Sequence, residues 1–213
     1  MEGIFETDWW AEERAAAQAG YTCIVGIDEA GRGALAGPVV AACVLLPFGW
    51  CPEGLNDSKR LTPCERETLY ETISQKARAF GVAVVDAERI DAINILRATH
   101  EAMRSALAAL PKGLFPDLAL IDGLPVRPFP IPQKALVKGD ARCASIAAAS
   151  VVAKVTRDRI MRELDRRYPV YGFANHKGYA TQEHLKALQV HGPCPLHRRS
   201  FRPVAEICTL WER

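Results

Sequence analysis

Two adjacent carboxylates, Asp28 and Glu29, end an apolar run at residues 23–27, and a glycine–arginine–glycine segment follows at 31–33. A second apolar run covers residues 39–46, so glycine and proline separate two runs of the type that form neighbouring antiparallel strands. A buried charge is costly unless it is paired or bound to a metal. The acidic pair is therefore either an ordinary polar strand end or a set of oxygen ligands for a divalent cation. This stretch alone leaves both interpretations open.

The spacing of the acidic pair adds a geometric condition. In a regular strand, successive side chains point to opposite faces, so Asp28 and Glu29 can serve one metal centre only if the strand ends between them. We therefore expect the first strand to stop at this pair. The nearby glycines favour a ligand site, because glycine allows backbone N–H groups to approach a ligand closely.

Two further acidic residues follow predicted strands. Asp122 comes after the apolar run 118–121, and Asp140 comes after the run 135–137. Each has a simpler interpretation, since Asp122 with the next glycine is typical of a turn and Asp140 suits a helix N-cap. If all four carboxylates converge, however, their repulsion forbids full ionisation without cations. Oxygen-only ligands select Mg²⁺ or Mn²⁺, and two such ions suit a phosphodiester displacement.

The order of the predicted elements indicates an α/β fold with a mixed central sheet flanked by helices and a helical C-terminal part. No repeat or linker interrupts residues 1–213, so we expect a single domain, with residues 1–20 as a helical extension and residues 140–213 as a basic, helical part. The predicted helices cover 7–20, 62–80, 87–110, 141–168 and a segment between Thr181 and Gly192; the predicted strands cover 23–27, 39–46, 81–85, 118–121 and 135–137.

Composition narrows the class of protein. The 213 residues are 49% hydrophobic and 24% charged, which is ordinary for a globular protein, and no apolar run is long enough to span a bilayer. The N-terminus lacks the pattern of a secretory signal. Seven cysteines without a C-x-x-C pair predict reduced thiols, a cytoplasmic protein and no zinc site. Nucleophile-elbow, phosphate-loop and dinucleotide-binding motifs are absent from the sequence.

Charge is unevenly distributed along the chain. Residues 1–133 carry 12 basic and 18 acidic side chains, whereas residues 134–213 carry 15 basic and 7 acidic ones, which together give the net charge of +2. A basic C-terminal third favours an anionic partner such as nucleic acid. Solvated helix faces would explain the same count, so charge alone does not decide between the two.

Six sequence blocks together resemble bacterial ribonuclease HII. They are IVGIDEAGRGALAGPVVAACV, LNDSKRLT, LIDGLPV, VKGDARCASIAAASVVAKVTRDRIM, YGFANHKGYATQEH and HRRSF. They occur in the order of that family and cover roughly residues 21–203. The resemblance implies a ribonuclease H-like fold. The related type III enzyme is disfavoured, because no additional N-terminal substrate-binding domain is expected.

The resemblance also implies roles for single residues. It places the metal-binding, catalytic carboxylates at Asp28, Glu29, Asp122 and Asp140, with two Mn²⁺ or Mg²⁺ ions as cofactors. It implies that the segment Gly31, Arg32 and Gly33 senses the ribonucleotide 2′-OH, the group that distinguishes RNA from DNA. Tyr179 would help to read the RNA–DNA junction, although a buried core tyrosine is the simpler interpretation of that residue.

Several basic residues are candidate phosphate contacts, which contribute affinity rather than specificity. They are Lys59, Lys138, Lys177, Arg198 and Arg199. Asp158 is expected to form an ion pair on its helix and not to be a fifth ligand. Ala34 stands where the family usually has proline, which should loosen the loop slightly.

The implied activity is metal-dependent cleavage of the RNA strand of RNA–DNA hybrids and nicking 5′ of single ribonucleotides in duplex DNA, leaving 3′-OH and 5′-phosphate ends. Such an enzyme removes misincorporated ribonucleotides and RNA primers during DNA replication and repair. We further expect a monomer without membrane attachment, with a replication clamp as a candidate partner of the C-terminus. The alternatives are a non-catalytic hybrid-binding module and another nuclease of the same fold.

Overall fold

The computed structural model of the protein describes residues 8–55 and 61–211, so the predicted phosphate contact Lys59 lies outside the described residues. The strands are β1 (Ile24–Ala30), β2 (Val39–Leu45), β3 (Ala79–Val85), β4 (Leu118–Asp122) and β5 (Gln133–Leu136). The helices are α1 (Ala11–Gln18), α2 (Pro63–Lys76), α3 (Ala87–Ile93), α4 (Ile95–Ala108), α5 (Ala144–Arg167), α6 (Phe173–His176), α7 (Gln182–His191) and α8 (Arg202–Trp211).

The five strands form one mixed sheet in the order β3-β2-β1-β4-β5. The pairs β1–β2 and β2–β3 are antiparallel, whereas β1–β4 and β4–β5 are parallel. The carboxyl ends of β1, β4 and β5 therefore lie at one edge of the sheet, together with the start of β2 and the end of β3. The predicted mixed α/β sheet is confirmed, and this edge is where side chains from distant parts of the sequence can meet.

Helices cover both faces of the sheet. Helix α4 packs on β1, β2 and β3, and helix α5 packs on β1 and β2, with α2 lying against α5. The small residues at the start of α5 are all buried. A Cβ at Gly26 in β1 would overlap the backbone of Ser145 in α5, so a glycine is needed where helix and strand approach this closely.

A buried glutamate at the N-terminus of α5 explains part of the role of α1. Glu13 is only 2% exposed, and its Oε1 accepts hydrogen bonds from the Ser145 N–H (3.0 Å) and hydroxyl (2.8 Å). A carboxylate at this position satisfies an unpaired N–H and interacts favourably with the positive end of the helix dipole. Helix α1 therefore supplies the cap that Cys143, at the N-cap position, does not provide.

Several predicted boundaries are wrong. The helix predicted over 62–80 ends at Lys76, because Ala79 already pairs with β2. The helix predicted over 87–110 breaks at Asn94, whose φ of 69° is left-handed and whose side chain caps α4. Helix α8 was not predicted from the sequence. In the described part of the chain, we find no helix with both the length and the apolar character needed to cross a membrane.

We predict that Gly26→Ala lowers the free energy of unfolding by about 1–3 kcal/mol, the usual cost of inserting a methyl group into a close-packed contact. Thermal unfolding followed by circular dichroism measures the change. Gly33→Ala is the matched control, since a Cβ there meets nothing within 4 Å. Equal melting temperatures for the two variants would show that α5 can move away from β1 without cost.

Candidate active site

Three carboxylates meet at the sheet edge. Asp28 lies near the end of β1, Asp122 is the last residue of β4, and Asp140 lies in a 3-10 turn, Gly139–Ala141, after β5. One carboxylate oxygen of each residue lies within 4.8 Å of the others. Asp140 therefore points into this cluster and is not the N-cap of α5. The parallel pairing of β1, β4 and β5 is what brings the three together.

Glu29 occupies a different position from the one expected. Strand β1 continues through Ala30, so the prediction that it ends at the acidic pair is wrong. Glu29 lines the same pocket as Asp28 and Asp122 but is not part of the cluster of three. Its carboxylate lies 3.3 Å from the Arg32 guanidinium. The structure thus places three acids together and the fourth beside them, within range of their charges.

The cluster is electrostatically unstable as a set of bare anions. Burial, followed by the charges of Glu29 and Asp122, raises the pKa of Asp28 well above its usual value, although the Glu29 N–H donates a 2.7 Å hydrogen bond to it. Burial also raises the pKa of Glu29, against the opposing effect of Arg32. A divalent cation would relieve this repulsion, and an all-oxygen donor set suits Mg²⁺ or Mn²⁺. The residues present therefore fit a metal centre.

The carboxylates open into a pocket of about 230 Å³. Its other walls are the 31–33 segment, Ser150 and Lys154 from α5, and Tyr179. Tyr179 is 37% exposed, so it is not the buried core tyrosine of the simpler interpretation. Its ring packs near the cations of Lys154 and Arg157, at 5.9 and 5.4 Å from the ring centroid. An exposed aromatic ring beside cations is suited to a sugar–phosphate ligand.

A buried arginine fixes the orientation of the 31–33 segment. The Arg198 guanidinium is fully buried and donates to the carbonyls of Gly31 (2.7 Å), Arg32 (2.8 Å) and Gly37 (3.0 and 2.9 Å). Arg198 is therefore not available to phosphate, and that prediction is wrong. Burial is also the main reason why its pKa falls to about 9.

The direction of these hydrogen bonds matters for ligand binding. In a planar trans peptide, the C=O and the following N–H point in opposite directions. Because Arg198 holds the carbonyls of Gly31 and Arg32, the N–H groups of Arg32 and Gly33 point away from it. Neither N–H donates to another of the described residues. The segment thus presents two free donors beside the carboxylates.

A second buried arginine supports the same loop. Arg157, from α5, donates to the carbonyls of Pro38 (2.8 Å), Ala36 (3.1 Å) and Lys177 (2.9 Å). Gly31 has a φ of 96°, and a Cβ there would overlap the Arg157 side chain, so only glycine fits. Arg157 joins the loop after β1 to the segment that carries Tyr179.

The remaining predicted phosphate contacts in the described part of the chain do not line the carboxylate pocket. Lys138 and Arg199 are exposed. Lys177 is half-buried, donates to the Ala174 carbonyl, and lines a second groove of about 300 Å³ that shares Lys154 and Tyr179 with the first pocket. The other charged side chains of this groove are Arg66, Glu67, Asp158 and Arg162. Asp158 pairs with Lys154 at 2.7 Å, which confirms its predicted role as an ion-pair member.

Two buried histidines support the backbone of Tyr179. The Cys194 N–H donates to His197 Nδ1 (3.0 Å), so His197 carries its proton on Nε2 and donates it to His184 Nε2 (3.1 Å). His184 Nδ1 then donates to the Tyr179 carbonyl (2.9 Å). The arrangement requires both rings to be neutral, because a proton on His184 Nε2 would oppose the one on His197. Burial lowers the pKa of His184, and burial with the neighbouring His184 lowers that of His197 to about 4.

Three residues of the site were not predicted from the sequence. They are Ser150, Lys154 and Arg157, and all lie on α5. Ser150 and Lys154 are four positions apart, and so are Lys154 and Asp158, which places them on one helix face. That spacing was the available signal, but it does not indicate which face meets the acidic edge.

A mixed sheet with carboxylates at the ends of three parallel strands, flanked by helices, defines a nuclease of the ribonuclease H-like class. The chain belongs to the ribonuclease HII family: the family model described as Ribonuclease HII matches residues 25–204. A ribonuclease HII of Acetivibrio thermocellus is 56% identical over 189 residues, which are 89% of this chain and 73% of that protein. The protein is thus an endoribonuclease of a divalent-metal-dependent family.

Solved structures agree with this assignment. The ribonuclease H2 of Pyrococcus horikoshii superposes with a TM-score of 0.74 and 26% identity, covering 90% of this chain and 100% of that one. A ribonuclease HII of Archaeoglobus fulgidus, solved as a complex with PCNA, gives a TM-score of 0.67 and 27% identity, covering 86% and 96%. The ribonuclease H-like fold implied by the sequence blocks is confirmed.

We predict that Arg198→Lys destabilises the protein and impairs cleavage. An ammonium group cannot reach all the carbonyls that the planar guanidinium holds, and a buried hydrogen bond to a charged group contributes about 1.5–3 kcal/mol. Thermal unfolding and steady-state cleavage measure the two effects. Arg199→Lys, at the exposed neighbouring side chain, is the stability control; equal melting temperatures for both variants would contradict the role assigned to Arg198.

The histidine pair predicts a pH dependence of stability. Because the folded-state pKa of His197 lies below its usual value of 6.5, the unfolded chain binds a proton first as pH falls. Through His197, the free energy of unfolding should therefore decrease between about pH 6.5 and pH 4, by about 1.4 kcal/mol per pH unit. Denaturant unfolding at a series of pH values should show that the free energy of unfolding falls less steeply with decreasing pH in His197→Gln than in the wild type; His191→Gln, at an exposed histidine, is the control.

Proposed function

We propose that this endoribonuclease cuts the RNA strand of RNA–DNA hybrids and nicks duplex DNA 5′ of a single ribonucleotide, leaving 3′-OH and 5′-phosphate ends. The observation that carries the proposal is the pair of free N–H donors at Arg32 and Gly33 in the same pocket as the carboxylate cluster. Backbone donors can reach a 2′-OH where a side chain would not fit. Recognition of the ribose and cleavage of the neighbouring phosphodiester then occur in one site.

Asp28, Asp122 and Asp140 would hold the divalent ions, and Glu29 would complete the second site; we propose two ions, either Mg²⁺ or Mn²⁺. When bound, such ions supply an activated water and neutralise charge on the scissile phosphate. The protein's own groups orient this chemistry. The Gly139 N–H donates to Asp122 Oδ1 at 2.7 Å, and the Glu29 N–H fixes Asp28 in the same way.

The remaining pocket residues would position the substrate. The 31–33 segment holds the ribose through its N–H donors, and the ring of Tyr179 packs on the sugar at the RNA–DNA junction. The side chain of Arg32 is about half exposed, so its guanidinium can leave the Glu29 carboxylate and bind a phosphate instead. Lys177, Lys138 and Lys59 are the proposed phosphate contacts on the backbone of the duplex. They would raise affinity without reading sequence.

We further propose that the chain works as a single-domain monomer in the cytoplasm, in the removal of misincorporated ribonucleotides and RNA primers. All seven cysteines are free, which supports a reducing compartment. A contact between the C-terminus and a replication clamp stays a prediction, and the PCNA complex of the Archaeoglobus fulgidus relative supports testing it.

A labelled DNA duplex with one ribonucleotide tests the proposed specificity directly. With Mg²⁺ or Mn²⁺ we expect a single nick 5′ of the ribonucleotide, and with EDTA or an all-DNA duplex we expect none. Cleavage of a long hybrid without nicking of the single ribonucleotide would remove the junction-reading role of the 31–33 segment and Tyr179. Cleavage of the all-DNA duplex would favour a different nuclease of the same fold.

Asp28→Asn should abolish cleavage and spare hybrid binding. It should also raise the melting temperature in EDTA at pH 7, because the variant removes a buried charge that its acidic neighbours repel. Cleavage rates, fluorescence anisotropy with a labelled hybrid and thermal unfolding measure the three effects. Near-normal turnover by this variant would refute the metal-site assignment, and a wild-type protein that binds hybrids without cutting them would favour the non-catalytic binding module.

A further inference from the structure

A basic groove of about 280 Å³ lies outside the pockets described above, between α3, α4 and the loop that follows β4. We call it the arginine groove. Six titratable side chains line it: Arg89, Arg97, His100, Glu101, Arg104 and Arg127. Among the described residues, four arginines thus face a single carboxylate, within the part of the chain, residues 1–133, that is acidic overall.

The groove keeps unsatisfied positive charge. Glu101 is bound by Arg89 at 2.9 Å, so the only carboxylate of the groove is already paired. Arg104 donates to the Pro128 carbonyl at 3.3 Å. Arg97 and Arg127 are exposed, and neither side chain forms a hydrogen bond or ion pair with another of the described residues. Two guanidinium groups are therefore free to bind an external anion.

His100 lies in the arginine groove but contributes no charge to it. Burial is the main cause that lowers the pKa of His100, and the charges of Arg104 and Arg32 lower it further. The imidazole is therefore neutral at pH 7 and adds no charge to the groove.

The topology places the arginine groove at the catalytic edge of the sheet. Ala30 pairs with Val40 and Val39 pairs with Val85, so α3 begins beside the end of β1. The loop that carries Arg127 starts directly after Asp122. In addition, Asp91 of α3 accepts hydrogen bonds from the backbone next to Arg198, at 2.8 and 2.9 Å. The groove is therefore fixed relative to the loop that Arg198 holds.

We propose that the arginine groove binds backbone phosphates of the duplex on one side of the cleavage point. The proposal rests on the proposed function and adds a binding surface to it. Lys154 and Lys177 line the groove of about 300 Å³ on the α5 side of the carboxylates. The arginine groove extends the basic surface on the other side, past Arg32. Planar guanidinium groups without internal partners match phosphate geometry and read no sequence. The duplex is then held by phosphate contacts on both sides of the carboxylates.

The double variant R97Q/R127Q removes the two free guanidinium groups and leaves the catalytic pocket intact. The matched control is R78Q/K112Q, which removes two exposed charges from the loops at the opposite edge of the sheet. With a 30-base-pair duplex (about three helical turns) carrying a central ribonucleotide, we expect the KM of R97Q/R127Q to rise about tenfold with kcat unchanged. The slope of log affinity against log salt should shrink by about two, one for each lost phosphate contact.

Shortened duplexes locate the contact. When the duplex is truncated on the side that reaches the arginine groove, the difference between wild type and R97Q/R127Q should disappear, and truncation on the other side should leave it. A KM and salt slope equal to those of R78Q/K112Q would overturn the proposal.

Failure of the proposed function gives a different result, namely a wild-type protein that does not nick. Anisotropy with a labelled hybrid in EDTA then still tests the groove. A reduced salt slope for R97Q/R127Q relative to R78Q/K112Q would support the groove, and equal slopes would overturn it, without any dependence on cleavage.

Discussion

The close contact between α5 and β1 is the constraint on which the active site depends. Gly26 lets the helix backbone approach the strand two residues before Asp28, and the small residues of α5 maintain that approach along the sheet. Farther along the same helix, the edge of the sheet that carries the carboxylates is reached by three side chains, Lys154, Arg157 and Asp158. A wider separation would move these side chains together away from the carboxylates, because a helix behaves as a rigid element. Packing in the core therefore sets the geometry of the pocket.

Two buried arginines fix the conformation of the loop that follows β1. Arg157 and Arg198 have no ion-pair partner among the described residues; backbone carbonyls accept their hydrogen bonds, and an aromatic ring lies near each guanidinium. Burying an unpaired charge is costly, so such an arrangement is stable only when several good hydrogen bonds replace hydration. The result is directional: each carbonyl that points to a guanidinium leaves the following N–H pointing away from it. The buried guanidinium groups thus fix the conformation of the loop after β1 from its inner side. The N–H groups of Arg32 and Gly33 stay available to a ligand.

Much of the fold follows from the sequence by local rules. Alternating apolar runs, the capping box at Thr62 and the N-cap at Thr181 all appear in the structure, because each depends on residues a few positions apart. Three acids of the site were also identifiable, since each follows a strand and parallel strands end at one edge. The break at Asn94 was not, because its left-handed conformation interrupts an otherwise continuous helical pattern.

Contacts between distant residues could not be predicted. Arg198 looked like a surface cation in HRRSF, and only the fold shows that it reaches carbonyls more than 160 positions away. Glu13 and Ser145 are separated by 132 positions. The arginine groove was hidden for the same reason. Its four arginines are spread over residues 89–127. They lie within residues 1–133, where acidic side chains outnumber basic ones, so a count of charge along the chain pointed only to the C-terminal third.

The distribution of charge in three dimensions links substrate binding to metal binding. In the proposed site, four carboxylates would repel a phosphate at the point of cleavage, whereas the grooves on either side would attract the phosphates that flank it. Without metal, the flanking contacts would have to offset that central repulsion; with metal, the sign of the central interaction would reverse. Ligands that favour each other's binding do so by the same factor in both directions, so nucleic acid should in turn strengthen metal binding. On this proposal, the weak intrinsic stability of the bare carboxylate cluster would couple the metal ions to the substrate.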